Sequence, residues 1–236
     1  MEKLTEIKKG QLGTGLLIEN DGYVSLDYEK NRPLKEALEA AGGDLISLPR
    51  PFVVAAVFQK YGIENANGRI YPENVLRREV EKYQKLIQER RAYGECNHPE
   101  QSAIDLERIA LNIVELHWEG HTLVGKMEIP ITEGFRKYGM VTCLADLLAQ
   151  WLVSGLKVGV SSRGIGSVKQ MYGKVIVDDD YEIVCWDAVS TPSTPNAYIA
   201  SDYDGLKTYI ESDETKKAKK MVNEDRFSKF DKWLND

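Results

Sequence analysis

Three short segments hold the residue types that nucleophilic catalysis needs. The first is Gly94-Glu95-Cys96-Asn97-His98-Pro99, with one of only three histidines in the chain. His98 closes a segment that reads as a strand. Pro99 biases the residue before it toward extended geometry and cannot donate to a ladder, so the strand is expected to stop here. An imidazole at a strand end is placed to act as a general base in a cleft. Taken alone, the segment equally fits a surface or hydrogen-bonded structural histidine.

The second segment is Val158-Gly159-Val160-Ser161-Ser162-Arg163-Gly164-Ile165-Gly166-Ser167. Strand alternation puts Val158, Val160 and Ser162 on one face and Gly159, Ser161 and Arg163 on the other. If the valines face the core, Ser161 faces outward, accessible as a nucleophile needs to be. The plainer reading is a Ser/Gly-rich bend in an edge strand. The third segment is Trp186-Asp187-Ala188-Val189-Ser190-Thr191-Pro192-Ser193-Thr194-Pro195. Asp187 interrupts an apolar strand pattern, and a buried carboxylate needs a partner, for which an imidazole N–H is suited. A hydrogen bond to the Ser/Thr/Pro loop beside it would serve as well.

Other chemistries fit less well. Cys96 and His98 could form a thiol–imidazole pair or part of a metal site, but no second Cys/His pair stands at ligand spacing, and no metal is expected. Asp178-Asp179-Asp180 lacks the glycine and distal glutamate of a calcium loop and reads as a polar turn. The glycine spacing matches neither phosphate-binding pattern, G-x-x-x-x-G-K-[ST] or G-x-G-x-x-G. His117 and His121 flank a turn and read as surface residues.

The elements that must position these residues can be read from periodicity. Phe52 to Phe58 is an apolar run of strand length. Pro72 opens a helix on which Leu76, Val80, Tyr83 and Ile87 share a face. Residues 108–118 and 123–129 alternate around Glu119-Gly120, which predicts a β-hairpin. A helix is expected from Thr142 to Val153, with Gly155 as its stop. Strands are expected over 156–167, 174–177 and 181–189. A helix is also expected between Pro33 and Gly42, and a short one through Phe227, Phe230, Trp233 and Leu234. The strands lack regular alternation with helices, so the fold class is α+β, a mostly antiparallel barrel or sheet flanked by several helices. Residues 1–205 are taken as the principal domain and 206–236 as an appended tail.

Composition narrows the functional classes. The chain has 236 residues, 31 basic and 37 acidic, a formal charge of −6. That balance argues against nucleic acid as a general partner, since such binding rests on a basic surface. The longest apolar run is too short to cross a bilayer, and no signal-peptide core opens the chain, so no membrane partner is expected. Cys96, Cys143 and Cys185 are an odd number and far apart, which reads as free thiols in a reducing compartment.

The three segments, with Asn65-Ala66-Asn67-Gly68-Arg69-Ile70-Tyr71-Pro72 upstream, resemble the prohead core proteases of T-even-like tailed phages. That family carries N-x-N-x-R-x-Y-P, G-E-L-N-H-P, G-V-S-S-R-G and D-A-V-x-x-P-S stretches in this order, the last before an alanine, here Ala197. Here Cys96 replaces the usual leucine, and the likeness covers about residues 52–200. The resemblance implies a β-barrel wrapped by helices, similar to herpesvirus maturation proteases. It implies a serine endopeptidase that cleaves scaffold and capsid proteins inside the assembling prohead, in the host cytoplasm, without a cofactor. Ser161 would be the nucleophile, with adjacent Ser162 as its rival. His98 would be the base, Asp187 the orienter, and Arg163 with Gly164 the oxyanion stabilisers. Zymogen behaviour, self-association and cutting after glutamate are further implications. A catalytically silent scaffold-binding protein of the same fold is the alternative. A small-ester hydrolase is less favoured, because no G-x-S-x-G elbow is present.

Overall fold

The computed structural model describes residues 7, 11–18, 48, 50–99, 101–194 and 197–200. The helices expected near residue 33 and through Phe227–Leu234, and the tail from 206, lie outside the described residues. The strands are β1 (Gly13–Ile18), β2 (Val53–Lys60), β3 (Arg69–Ile70), β4 (Tyr93–Glu95), β5 (Ile109–Glu119), β6 (Thr122–Glu128), β7 (Gly159–Met171), β8 (Lys174–Val177), β9 (Glu182–Val189) and β10 (Ile199–Ala200). Among the described residues three α-helices accompany them: α1 (Glu73–Gln88), α2 (Glu133–Tyr138) and α3 (Leu144–Val153).

The strands sort into two five-stranded sheets. One runs β1-β7-β8-β3, with β9 also paired to β7; the other runs β10-β2-β6-β5-β4. Every strand pair is antiparallel except β3 with β8. The mixed α+β class stands, but the expected closed barrel does not form among the described residues. Where the sheets meet, isolated bridges join them among the described residues, Cys96 to Ala188 and Gly159 to Tyr198. The reason is local backbone. Asn97 and His98 have φ of 59° and 25°, which takes the chain out of extended geometry just after β4 and ends its pairing. This also corrects the expectation that Pro99 would hold His98 extended.

The apolar run of β2 is buried along nearly its whole length. Val54, Ala56 and Phe58 enter the larger core with Ile113, Leu123 and Met127 of the β5–β6 hairpin. Gly120, at φ 57°, turns that hairpin. Pro72 precedes the first turn of α1, whose Val75 and Leu76 pack in a smaller core with Leu17, Val177 and Tyr181. One turn on, Val80 and Tyr83 enter the larger core, so α1 ties the two together. Trp186 of β9 meets Phe58 and Tyr83 edge-on, with ring centroids 5.7 Å and 4.9 Å away. The periodicity did not indicate α2, which is only six residues long. Its signals were Thr132, whose hydroxyl accepts from Phe135 N–H at 3.1 Å, and Gly139, in left-handed geometry at the other end. Asp146 of α3 braces this turn by accepting from the N–H and hydroxyl of both Thr132 and Thr142.

The approach of β4 to β9 carries His98 toward Asp187, and it requires Gly94. A Cβ there would lie 2.2 Å from the Trp186 carbonyl oxygen and 2.6 Å from a Leu111 methyl. Backbone cannot yield as a flexible side chain does. Gly94→Ala is therefore expected to cost about 3 kcal/mol, the upper part of the overpacking range, measured as a lowered urea midpoint at unchanged m-value.

Candidate active site

Strands β7 and β9 place the central residues. In their antiparallel register Ser161 lies opposite Asp187, Arg163 opposite Cys185, and Ser162 opposite Trp186. Directly opposed residues share a face. Ser161, Arg163, Cys185 and Asp187 therefore lie on one side, and Ser162 and Trp186 on the other. Val160, Ala188 and Trp186 join the larger core, as the alternation of the sequence predicts. The Ser161 face, however, is not open to solvent. It is covered, and Ser161 retains only 1% of its surface.

His98 arrives from the segment after β4. Asn97 N–H donates to Ala188 O at 2.9 Å, which pins this segment beside β9. The His98 Nδ1 atom lies 2.6 Å from Asp187 Oδ2, both side chains fully buried. An ionised carboxylate only accepts, so Nδ1 carries the proton, and in the neutral ring Nε2 bears the lone pair. Among the described residues Nε2 is buried without a hydrogen-bond partner. The structure thus brings two of the three expected residues into contact and sets Ser161 across the ladder from Asp187.

The surroundings of Asp187 are more elaborate than the sequence suggested. Its Oδ1 accepts from Glu95 N–H at 2.8 Å and from the Cys185 thiol at 3.2 Å. Arg163 Nε donates to Oδ2 at 2.9 Å. The same guanidinium donates to a Glu95 carboxylate oxygen and, at 2.6 Å, to Gln101 O. Burial alone would raise the Asp187 carboxyl. The His98 hydrogen bond and charge, Arg163 and the Glu95 N–H outweigh it and hold the group below its ordinary value. The guanidinium expected to contact an oxyanion is held here by the Asp187 and Glu95 carboxylates and by the Gln101 carbonyl. Gly164 serves packing: a Cβ there would meet the Tyr181 ring at 2.4 Å.

Burial, with the nearby Asp187 charge, pushes the Cys96 thiol up to about 11 and the Cys185 thiol well above its ordinary value. Neither is prepared to be a thiolate nucleophile. His117 is part-exposed among Glu115 and Glu119, away from this cluster. Among the described residues no group of three or more His, Cys, Asp or Glu side chains could hold a metal ion. A cavity of about 300 Å³ adjoins the site, lined by Asn97, Trp151, Leu156, Val158, Ala188 and Ser190 among others. It offers mostly apolar walls one residue away from both His98 and Asp187.

Asn65 shows why the upstream motif has its form. Its side-chain oxygen accepts from Asn67 N–H and Arg69 N–H, each at 3.0 Å, and winds the loop tightly. Ala66 N–H donates to Ser193 O at 3.1 Å, which fastens this loop to the segment after β9. Tyr71 packs edge-on against Tyr181 at 5.2 Å.

The sequence and the fold are similar to those of a known class of proteases. The chain belongs to the family described as prohead core protein serine protease, whose model matches residues 16–205. It is 31% identical over 165 residues to the prohead core protein protease of Enterobacteria phage T4, covering 69% of this chain and 74% of that protein. The solved structure of the bacteriophage T4 capsid assembly protease is similar, with a TM-score of 0.52 and 28% identity over 58% of this chain and 80% of that one.

The buried ionic contacts of Asp187 make stability depend on acid. Its folded carboxyl titrates below the unfolded value of about 3.9, so the unfolded chain binds the proton more readily. The contribution of this group is complete above that value and is lost as pH falls through the folded one. Asp187→Asn should flatten the drop in unfolding free energy below about pH 4, measured by urea titrations at stepped pH.

Proposed function

We propose that this prohead maturation protease works by two-step acyl transfer on Ser161. His98 Nε2 takes the hydroxyl proton as the Ser161 oxygen bonds to the scissile carbonyl carbon. Asp187 keeps the proton on Nδ1 and stabilises the imidazolium that forms. The imidazolium then protonates the leaving amine as the C–N bond breaks. A water, deprotonated in turn by Nε2, hydrolyses the acyl-enzyme and restores the serine. One observation carries this reading: His98 is oriented by Asp187 through Nδ1 and presents a buried, unpartnered Nε2, while Ser161 shares the Asp187 face of the ladder.

The substrates proposed are phage scaffold and capsid proteins, cut inside the assembling prohead in the host cytoplasm. The family pattern supports cleavage after glutamate, with a small or apolar residue two positions earlier. Residues 1–205 would form the protease unit and 206–236 its tail. Self-association within the core is part of the same proposal. The burial of Ser161 and His98 fits a resting form in which covering groups must move before a substrate enters.

Purified protein incubated with its own scaffold should yield discrete fragments, read by mass spectrometry. Ser161→Ala should abolish them and remain folded, and a covalent serine probe should label Ser161. Ser162→Ala should keep at least part of the activity, since Ser162 lies on the core face. His98→Ala should lower kcat by about four to six orders of magnitude, as loss of a triad member does elsewhere. Labelling of Ser162 alone, or cleavage by Ser161→Ala, would overturn the assignment.

A further inference from the structure

Glu95 and Arg163 are buried charged groups to which the acyl-transfer scheme gives no role. We propose that they are positioning residues: Glu95 holds Arg163, and Arg163 holds the Asp187 carboxylate where it meets His98 Nδ1. This inference rests on the reading of His98 and Asp187 as base and orienter.

Glu95 acts on Asp187 twice. Its main-chain N–H donates to Oδ1 at 2.8 Å, and its carboxylate grips the guanidinium whose Nε donates to Oδ2 at 2.9 Å. Arg163 Nη2 also donates to Oδ1, at 3.3 Å, so both Asp187 oxygens are held and the carboxylate cannot rotate about its bond without breaking a charged contact. The charges alternate in sign from Asp187 to Arg163, Glu95 and Arg108. Asp187, Arg163 and Glu95 are fully buried, and Glu95 meets the part-exposed Arg108 at 3.8 Å on its outer side.

Arg163 alone would cancel the Asp187 charge that an imidazolium needs. With Glu95 included, the buried three keep one net negative charge beside His98. Cys185 adds only thiol contacts, to Arg163 and to Asp187, each at 3.2 Å. Structural stability alone gives weak reason for such a cluster, since apolar replacements of buried ion pairs are often as stable. Each segment then supplies a reacting or orienting group and a neighbour that joins the cluster around Asp187: His98 with Glu95, Ser161 with Arg163, and Asp187 with Cys185.

The test is Glu95→Gln in the full chain, which keeps the shape and removes the charge. In the parent protein the His98 Nδ1–H proton, held against Asp187, should give a low-field NMR resonance without any substrate. Glu95→Gln should weaken or shift that resonance. On a scaffold-derived peptide kcat should fall about tenfold to a hundredfold, the scale of a misplaced catalytic group, with KM within twofold. If the single variant does not fold, Glu95→Gln/Arg163→Met removes both charges together and should show the same two losses. A folded variant of either kind that keeps the resonance and kcat within twofold of the parent overturns the proposal. If the parent cleaves nothing, but its resonance is present and is lost in the variant, the protease reading fails and the positioning role stands.

Discussion

The burial of one carboxylate organises this molecule. An isolated ionised aspartate out of water would cost far more than a domain can spare, so Asp187 is tolerable only with its oxygens fully engaged. No single element can supply those partners. They come from the β4 segment (Glu95 and His98), from β7 (Arg163) and from β9 itself (Cys185). Satisfying the charge therefore requires the edges of two sheets to meet at one point. The meeting is arranged by absences of side chain as much as by contacts. Gly94 lets β4 reach the Trp186 backbone, and Gly159 leaves space that the Pro192 ring fills, 2.5 Å from where a Cβ would stand.

Much of this was legible in the sequence. The β2 run, the face of α1, the β5–β6 hairpin and the opposite faces of Ser161 and Ser162 all follow from periodicity, because burial imposes it directly. Asp187 was also readable, since an aspartate in an apolar strand must have a partner. Periodicity says which residues share a face but not what covers that face. Ser161 was expected to look outward and is instead roofed. Arg163 was expected to serve an oxyanion, and one of the two carboxylates that hold it, Glu95, sits 68 residues away in the chain. No local pattern encodes such a pairing. The sign available in the sequence was a second acidic residue, three positions before His98, in the same short segment.

The barrel expectation missed for a related reason. Alternation predicts strands, and antiparallel hairpins can close a ring. Closure also needs the last ladder to run in register, and here the seam at Cys96 is one bridge long. What ends it is the conformation of Asn97 and His98, which strand propensity does not register.

That conformation bears on how the imidazole is held. Non-glycine residues at φ 59° and 25° are each disfavoured by about 1–3 kcal/mol and persist only where the surroundings over-determine them. Here three bonds anchor the segment from outside: Asn97 N–H to Ala188 O, Arg108 to Cys96 O at 3.0 Å, and Arg163 to Gln101 O at 2.6 Å. A fourth, from the His98 ring to Asp187, acts from within. The segment gains no regular ladder from this geometry beyond a single bridge, and it aims one side chain. An extended His98 would have continued the β4 pairing, but strand alternation would then have fixed its direction by register alone. Turning the backbone out of the strand frees the imidazole to approach Asp187 along the carboxylate oxygen not taken by Glu95. The local strain and the buried charge are thus complementary constraints: the carboxylate's need for a donor stabilises a backbone that no ladder would support, and that backbone supplies the donor.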